Sequence, residues 1–160
     1  MLRLVKVDST NLQQIIQLQV KTDQMRFVAD NASSLLEAEA AAAANGHAFP
    51  FGIYDDEIPV GFLMIGYDTD EEWKNPPSVA KGNYSLWRLM IDSRYQQCGY
   101  GRNAMELALN FIRSCPCGPA PYCWVSYLPD NARARRLYHS FGFEENGEMD
   151  GEEMIAVLKL

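Results

Sequence analysis

The stretch Gln96-Gln97-Cys98-Gly99-Tyr100-Gly101 decides how this chain is read. It follows a hydrophobic, strand-like run over residues 84–92 and opens a long amphipathic pattern beginning at Arg102. A glycine-rich turn between a strand and a helix start is a phosphate cradle. Gly99 and Gly101 carry no Cβ, so the backbone there can adopt dihedrals closed to other residues and approach a ligand closely. The first helical N–H groups lack intrahelical acceptors, and with the positive end of the helix dipole they favour a pyrophosphate. The plainer reading of the same residues is a structural turn. A Walker loop would require Gly-Lys-Ser/Thr, which is absent. A dinucleotide fingerprint would lie near a first strand with an acidic ribose partner about 20 residues on, and that context is missing too.

A second motif follows at Asn131-Ala132-Arg133-Ala134-Arg135-Arg136-Leu137-Tyr138-His139-Ser140-Phe141-Gly142-Phe143. The Q-x-x-G-x-G loop after Met90-Ile91-Asp92, together with this segment, resembles the GNAT superfamily of N-acetyltransferases. The resemblance is strongest from Leu86 to Phe143. It implies transfer of acetyl from acetyl-coenzyme A, as donor substrate, to an amine. It also implies one α/β domain over residues 1–160, with a mixed central sheet of about seven strands and four helices in the order β-α-α-β-β-β-α-β-α-β-β. The runs Phe27-Val28-Ala29-Asp30-Asn31, Pro59-Val60-Gly61-Phe62 and Leu86-Trp87-Arg88-Leu89-Met90-Ile91-Asp92 are similar to the bacterial spermine/spermidine acetyltransferases of that superfamily.

Length and composition agree with such a domain. A chain of 160 residues, 48% of them hydrophobic, can bury a substantial core. No run approaches the ~20 apolar residues that span a bilayer, and the start has no signal-peptide apolar region, so the expected compartment is the cytoplasm with no membrane partner. Cys98, Cys115, Cys117 and Cys123 form no C-x-x-C pair and have no histidines nearby to complete a zinc site, so no metal is expected and the thiols are read as reduced. Cys98, at a helix start, is either a reactive thiol or a small residue filling a tight turn. A net charge of −7 argues against nucleic acid as a partner. Arg94, Arg102, Arg133, Arg135 and Arg136 gather around the two motifs, whereas Glu37, Glu39, Asp55, Asp56, Glu57, Asp68, Asp70, Glu71 and Glu72 occupy the first half. One half suits phosphates and the other cations, although each charge alone also reads as a solvated face. A homodimer is compatible with the sequence.

Local patterns place the elements. Residues 2–7 read as a first strand, and Asp8, Ser9 or Thr10 offers a cap for a helix through Leu18. Ser33 or Ser34 caps an alanine-rich helix ending near Asn45-Gly46. His47 to Tyr54 and Ile58 to Tyr67 form a hairpin around Asp55-Asp56-Glu57, with Gly61 and Gly66 as candidate bulges. A loop with Pro76-Pro77 spans Asp68 to Asn83, of a length that is often functional or mobile. Tyr84 to Asp92 is a central strand. Ala104, Leu107, Ala108, Phe111 and Ile112 mark the buried face of the next helix. Tyr122 to Tyr127 is a fifth strand, Asp130 or Asn131 caps the last helix, Gly142 ends it, and two strands run from Phe143 to Met149 and from Glu152 to Leu160.

Acetyl transfer needs a bound thioester, a neutral amine beside its carbonyl and a proton for the departing thiolate. By the resemblance, backbone groups of Met90 and Ile91 pair with the pantetheine arm. The N–H groups of Gln96, Gln97, Cys98, Gly99, Tyr100 and Gly101 hold the pyrophosphate, and Asn131 touches the pantetheine. Arg102 either adds a charge-assisted phosphate contact or is a solvated arginine. Tyr138 lies about two helical turns after Asn131, hence on the same face, and resembles the tyrosine that acts as general acid. His139 has no assigned role. No general base carries over, because Ser126 and Trp87 stand where relatives place glutamates. Asp92, Tyr67, Asp68 and Glu37 are the remaining candidates, acting through water. Gln24, Arg26, Phe27 and Glu37 fall on the acceptor side, and Trp73 and Trp87 could flank an acceptor's methylene chain. The favoured acceptor is a polyamine. The alternatives are a peptide N-terminus, an amino sugar or an antibiotic amine, or a non-catalytic acetyl-coenzyme A sensor.

Overall fold

The computed structural model describes residues 1–160. In chain order its elements are β1 (Leu2–Lys6), α1 (Leu12–Ile16), a one-turn helix at Thr22–Gln24, α2 (Asn31–Ala43), β2 (His47–Asp55), β3 (Ile58–Tyr67), β4 (Tyr84–Ile91), a one-turn helix at Ser93–Tyr95, α3 (Tyr100–Arg113), β5 (Tyr122–Tyr127), α4 (Ala132–Ser140), β6 (Glu144–Asp150) and β7 (Glu153–Lys159). All seven strands form one sheet in the order β1-β2-β3-β4-β5-β7-β6. Every neighbouring pair is antiparallel except β4–β5, which is parallel and is joined through α3.

The near-unbroken apolar run of β3 follows from its position, because a strand covered on both faces has no polar side. Phe62 and Met64 join Ile15, Leu18, Ala38 and Met90 under α1 and α2. Leu63 and Ile65, pointing the other way, join Ala104, Met105, Ala108, Leu109 and Ile112 of α3. Each of the leucine, isoleucine, methionine and phenylalanine side chains contributes about 1.5–3 kcal/mol on burial. The α3 face is turned slightly from the expected one: Met105 and Leu109 are buried, whereas Leu107 and Phe111 are half-buried at its margin. Phe111 there packs edge-on against Phe49 and Phe51 of β2.

Four local expectations differ. The residue at the cap position of α1 is Asn11, not Asp8, Ser9 or Thr10, and it makes no side-chain cap bond. The first helix stops at Ile16 rather than Leu18, because the Asp92 carboxylate accepts from Gln19 N at 3.0 Å and Ser93 N donates to Gln19 O at 2.8 Å, drawing the chain toward the end of β4. The cap of α2 is Asp30, not Ser33 or Ser34; its carboxylate accepts from Ser33 N at 2.8 Å. Ser34 is instead fully buried. Gly61 lies beside a bulge, but Gly66 pairs in register with Ser85 and marks none. At Gly61 the need is close approach, since a Cβ there would stand 2.4 Å from the Met90 carbonyl oxygen.

The bulge that matters most falls on β4. The β3–β4 register passes from Ile65–Leu86 to Met64–Arg88, leaving Trp87 without a partner. A bulged strand bends and twists. Past the paired residues Tyr84–Cys123 and Ser85–Trp124, β4 and β5 part, and the sheet splits into two arms. The loop over residues 68–83 is fixed beside the split: Trp73 stacks on Trp124 at 6.3 Å, Ser78 donates from N and Oγ to Glu148 at 2.8 and 2.7 Å, and Ala80 is fully buried. No helix is long and apolar enough to cross a membrane.

Candidate active site

Where the arms diverge, a cleft of about 940 Å³ opens, walled by β4 from Leu86 to Ile91, the loop before α3, and Ser126, Tyr127, Leu128, Asn131, Leu137 and Tyr138 on the β5–α4 side. Polar backbone at a strand edge and at two helix starts faces an apolar channel, a combination suited to a long polar thioester.

The glycine loop forms one end of the cleft. Gln97 and Gly99 both take left-handed backbone, with φ 62° and 83°. Gly99 does so without strain and Gln97 at some cost, which is uncommon for a residue with a Cβ. This winding leaves the N–H groups of Gln97, Cys98, Gly99, Tyr100, Gly101 and Arg102 with no acceptor in the protein; the first helical bond runs from Asn103 N to Gly99 O at 3.2 Å. Such free donors at the start of a 14-residue helix fit a diphosphate. The Gln96 side chain braces the loop: its Nε2 donates to Ile91 O at 3.0 Å and to Gln24 Oε1 at 2.8 Å, while its Oε1 accepts from Gln24 Nε2 at 3.1 Å. The Tyr100 hydroxyl donates to Asp55 Oδ2 at 2.6 Å, and that bond pushes the phenol up to about 12.

Of the two readings open for each of Arg102 and Cys98, neither side chain takes the one that enters the cleft. Arg102 does not turn to the cleft; its guanidinium lies 4.9 Å over the Phe141 ring and contacts Ser140 Oγ at 3.4 Å, so only its backbone N–H belongs to the cradle. Cys98 is exposed with Sγ 3.5 Å from Gln96 O, outside the cleft wall. Of the five arginines gathered around the two motifs it is Arg133 that lines the cleft, together with Arg26 and Arg88 from elsewhere in the chain; the Arg133 Nη1 approaches Gln96 Oε1 at 3.4 Å.

Strand pleating separates Met90 from Ile91. Asp92 N donates to Val60 O at 2.9 Å and the Met90 carbonyl points at Gly61, so these alternate residues bond to β3. The backbone groups of Leu89 and Ile91 therefore face the cleft. Met90 lines the wall, but its carbonyl is turned away from the position expected of it.

Across the cleft, Asn131 caps α4 by accepting from Ala134 N at 3.3 Å while lining the channel. Tyr138 is buried among Tyr127 and Phe143, with ring centroids at 5.7 and 5.9 Å, and faces the same space. Burial pushes its phenol well up, so it remains protonated at neutral pH. His139 is occupied elsewhere, with Nε2 2.8 Å from Glu145 Oε2.

A second cavity of about 480 Å³ lies against the first on the opposite side of the split, and the two share Leu86, Trp87, Arg88, Ser126, Asp150 and Glu153. Most earlier base candidates are engaged. Asp92 is buried and accepts from Gln19 N, Arg94 N and Arg94 Nε, so it caps a turn. Glu37 is paired with Arg88 Nη2 at 2.6 Å. Asp68 accepts from Gly82 N at 2.9 Å and pairs with Lys81. The Tyr67 ring packs tilted against that of Tyr84, with centroids 4.7 Å apart. Sequence reading passed over Glu153, whose Oε1 accepts from Ser126 Oγ at 3.2 Å. Its one advance signal was a glutamate opening β7, and its relevance depends on strand register.

Comparison with known proteins agrees with this geometry. Residues 12–143 match the acetyltransferase (GNAT) family. The spermine/spermidine N(1)-acetyltransferase of Bacillus subtilis (strain 168) is 30% identical over 154 residues, 93% of each chain. Among solved structures, the aminoglycoside acetyltransferase AAC(6')-Ib in complex with coenzyme A superposes with a TM-score of 0.77 at 14% identity, over 99% of this chain and 95% of that one. The PaiA N-acetyltransferase of Thermoplasma acidophilum in complex with coenzyme A gives 0.67 at 15% identity, over 100% and 99%. The chain therefore belongs to the acetyltransferase (GNAT) family and is an acetyl-coenzyme A-dependent N-acetyltransferase.

Proposed function

We propose that the acceptor is a polyamine such as spermidine or spermine, acetylated at a primary amine. The observation that carries this reading is the second cavity. It gathers Glu37, Asp68, Asp70, Glu72, Asp150 and Glu153 in one space adjoining the cleft, with Arg88 its single arginine or lysine and that one neutralised by Glu37. Trp73, Trp87 and Trp124 line the same space and offer apolar surface to methylenes between the amines. The curated relative described above, a spermine/spermidine acetyltransferase by name, supports the same choice.

In this reading the free N–H groups of residues 97–102 hold the pyrophosphate, with Arg133 as the nearby cation. The backbone of Ile91 on one side and Asn131 on the other hold the pantetheine, which directs the acetyl group to the junction of the two cavities. Tyr138 gives its proton to the departing thiolate. The four free cysteines fit a reducing compartment, and a cytoplasmic location goes with this function.

The test is a comparison of kcat/KM for spermine and spermidine against an N-terminal peptide, kanamycin and a lysine ester, read by coenzyme A release. A preference for polyamines by tenfold or more supports the assignment. A tenfold preference for any other amine rejects it and leaves the acetyl transfer standing.

A further inference from the structure

We infer that Glu153 is the general base of the transfer, a carboxylate delivered by β7 to the place on β5 where Ser126 carries none. The inference rests on acetyl transfer and on the amine entering from the second cavity; it does not depend on which amine enters.

Strand register carries the argument. Ser126 lies directly opposite Ile155 in the antiparallel β5–β7 pair. Residues directly opposite, and those two along, share one face of a sheet. Glu153 is two residues from Ile155, so its side chain rises on the Ser126 face, and the contact at 3.2 Å confirms the meeting. Glu153 borders both cavities, whereas Glu37, Asp68, Asp70 and Glu72 border only the second. Tyr138 comes from α4, on the other face of the sheet. The acid and the carboxylate thus flank the split between β4 and β5 from opposite sides, as a reaction with the donor on one side and the amine on the other requires.

Charged and titratable neighbours approach Glu153 from each packed element: Ser126 on β5, Arg88 on β4, Asp150 on the β6 side of the hairpin, and Tyr138 on α4. Burial raises the carboxyl above its ordinary 4.5, the Ser126 hydroxyl and Arg88 oppose that rise, and Asp150 adds to it. A carboxylate raised in this way is a better proton acceptor than an exposed one. Asp150 also borders both cavities but sits on the edge strand β6 and has no bond to β5.

The proton count closes. Glu153 takes one proton from the acceptor ammonium, directly or through one water, and the freed lone pair forms the N–C bond as the C–S bond breaks. The sulfur takes a proton from Tyr138, the nitrogen's second proton passes through water to restore the Tyr138 phenol, and the proton held by Glu153 leaves to solvent as the one net proton.

The experiment measures kcat, KM and pH–rate profiles of wild type, Glu153→Gln, Glu153→Asp and Asp150→Asn. The acceptor is whichever amine wild type uses best, and coenzyme A affinity is measured by calorimetry on each protein. We expect Glu153→Gln to bind coenzyme A as wild type does and to lose about 10²- to 10⁴-fold in kcat. The acidic ascending limb, set by a group above the ordinary glutamate value, should vanish. Glu153→Asp should keep the limb at reduced rate, and it carries the test if the glutamine variant does not fold. Asp150→Asn should raise KM and keep the limb. A Glu153→Gln enzyme that retains the limb, or that changes KM alone, overturns the assignment. A wild-type preference for another amine overturns only the polyamine reading.

Discussion

The ring of Tyr138 lies 5.7 Å from that of Tyr127, and of the two phenols only Tyr127 is hydrogen-bonded within the protein, donating to Glu145 Oε1 at 2.7 Å. Both hydroxyls are held protonated by burial, but one is spent on structure and the other is left facing the cleft. This asymmetry separates their variants. Tyr138→Phe keeps the ring packing and should lower kcat by about 10²- to 10⁴-fold with coenzyme A affinity unchanged. Tyr127→Phe removes a bond to a charged group, so it should cost about 1.5–3 kcal/mol of stability and leave turnover near wild type. Paired urea titrations and steady-state kinetics decide; equal turnover of wild type and Tyr138→Phe at saturating substrates would remove Tyr138 as the acid.

The two loop glycines also part company. Gly99 needs its left-handed backbone, so Gly99→Val strains the fold as well as the cradle. Gly101 is helical, and a Cβ there meets only Leu137 Cδ2, at 3.8 Å. Gly101→Ala should therefore fold with stability unchanged or raised by up to about 1 kcal/mol from helix propensity. Gly101→Val projects further into the ligand's space and should weaken coenzyme A binding at least tenfold. Calorimetry showing wild-type affinity in a folded Gly101→Val protein would mean that the pyrophosphate lies elsewhere.

What was legible in the sequence was local. The glycine loop, the Asn131–Gly142 segment and the apolar strand runs are determined by neighbours in the chain, and the structure places them within a residue or two of the expected bounds. What was not legible depends on partners far away. Whether Met90 or Ile91 faces the cleft depends on which residues of β4 bond to β3. Arg102 points away because Phe141, well along the chain, offers it an aromatic face, and Arg133 lines the cleft in its place. Glu153 escaped notice because only the β5–β7 register sets it beside Ser126. The splay of β4 from β5 likewise needs the unpaired Trp87, which is visible only against β3.

Glu145 provides a stability test with a defined sign. Hydrogen bonding from Tyr127, helped by His139, lowers its carboxyl from 4.5 to about 2, and Arg135 Nε adds a contact at 2.8 Å. A carboxyl whose folded value is depressed binds fewer protons in the native state than in the unfolded one. Its contribution is therefore fully present above about 4.5 and is lost as pH falls toward 2. Since the side chain is one-fifth exposed, solvent screening reduces the effect to the order of 1 kcal/mol. Glu145→Gln should be less stable than wild type at pH 7, and the gap should close progressively below pH 4.5. A gap that stays constant down to pH 2.5, tested at about that value by urea midpoints, would show that the carboxylate's charge contributes nothing.

Charge in the second cavity makes the polyamine reading sensitive to salt. Several carboxylates attracting a flexible polycation act over distances that salt screens, because the Debye length falls from ~10 Å at 0.1 M to ~3 Å at 1 M. The KM for spermidine should rise with ionic strength more steeply than the KM for acetyl-coenzyme A, which in the proposed reading is held mainly by backbone N–H groups. Glu37 sharpens the test, since it neutralises Arg88 at 2.6 Å and the Arg88 side chain is only 19% exposed. Glu37→Gln removes an attractive charge and leaves a half-buried guanidinium unpaired beside the acceptor. At ~8 Å and an effective dielectric of ~20, one such uncompensated charge is worth about 2 kcal/mol against a cation. The variant should raise the spermidine KM by about ten- to thirtyfold, raise that of a monoamine less, and bind coenzyme A normally. If spermidine KM were indifferent both to salt and to Glu37→Gln, the carboxylates of the second cavity would not be its binding site.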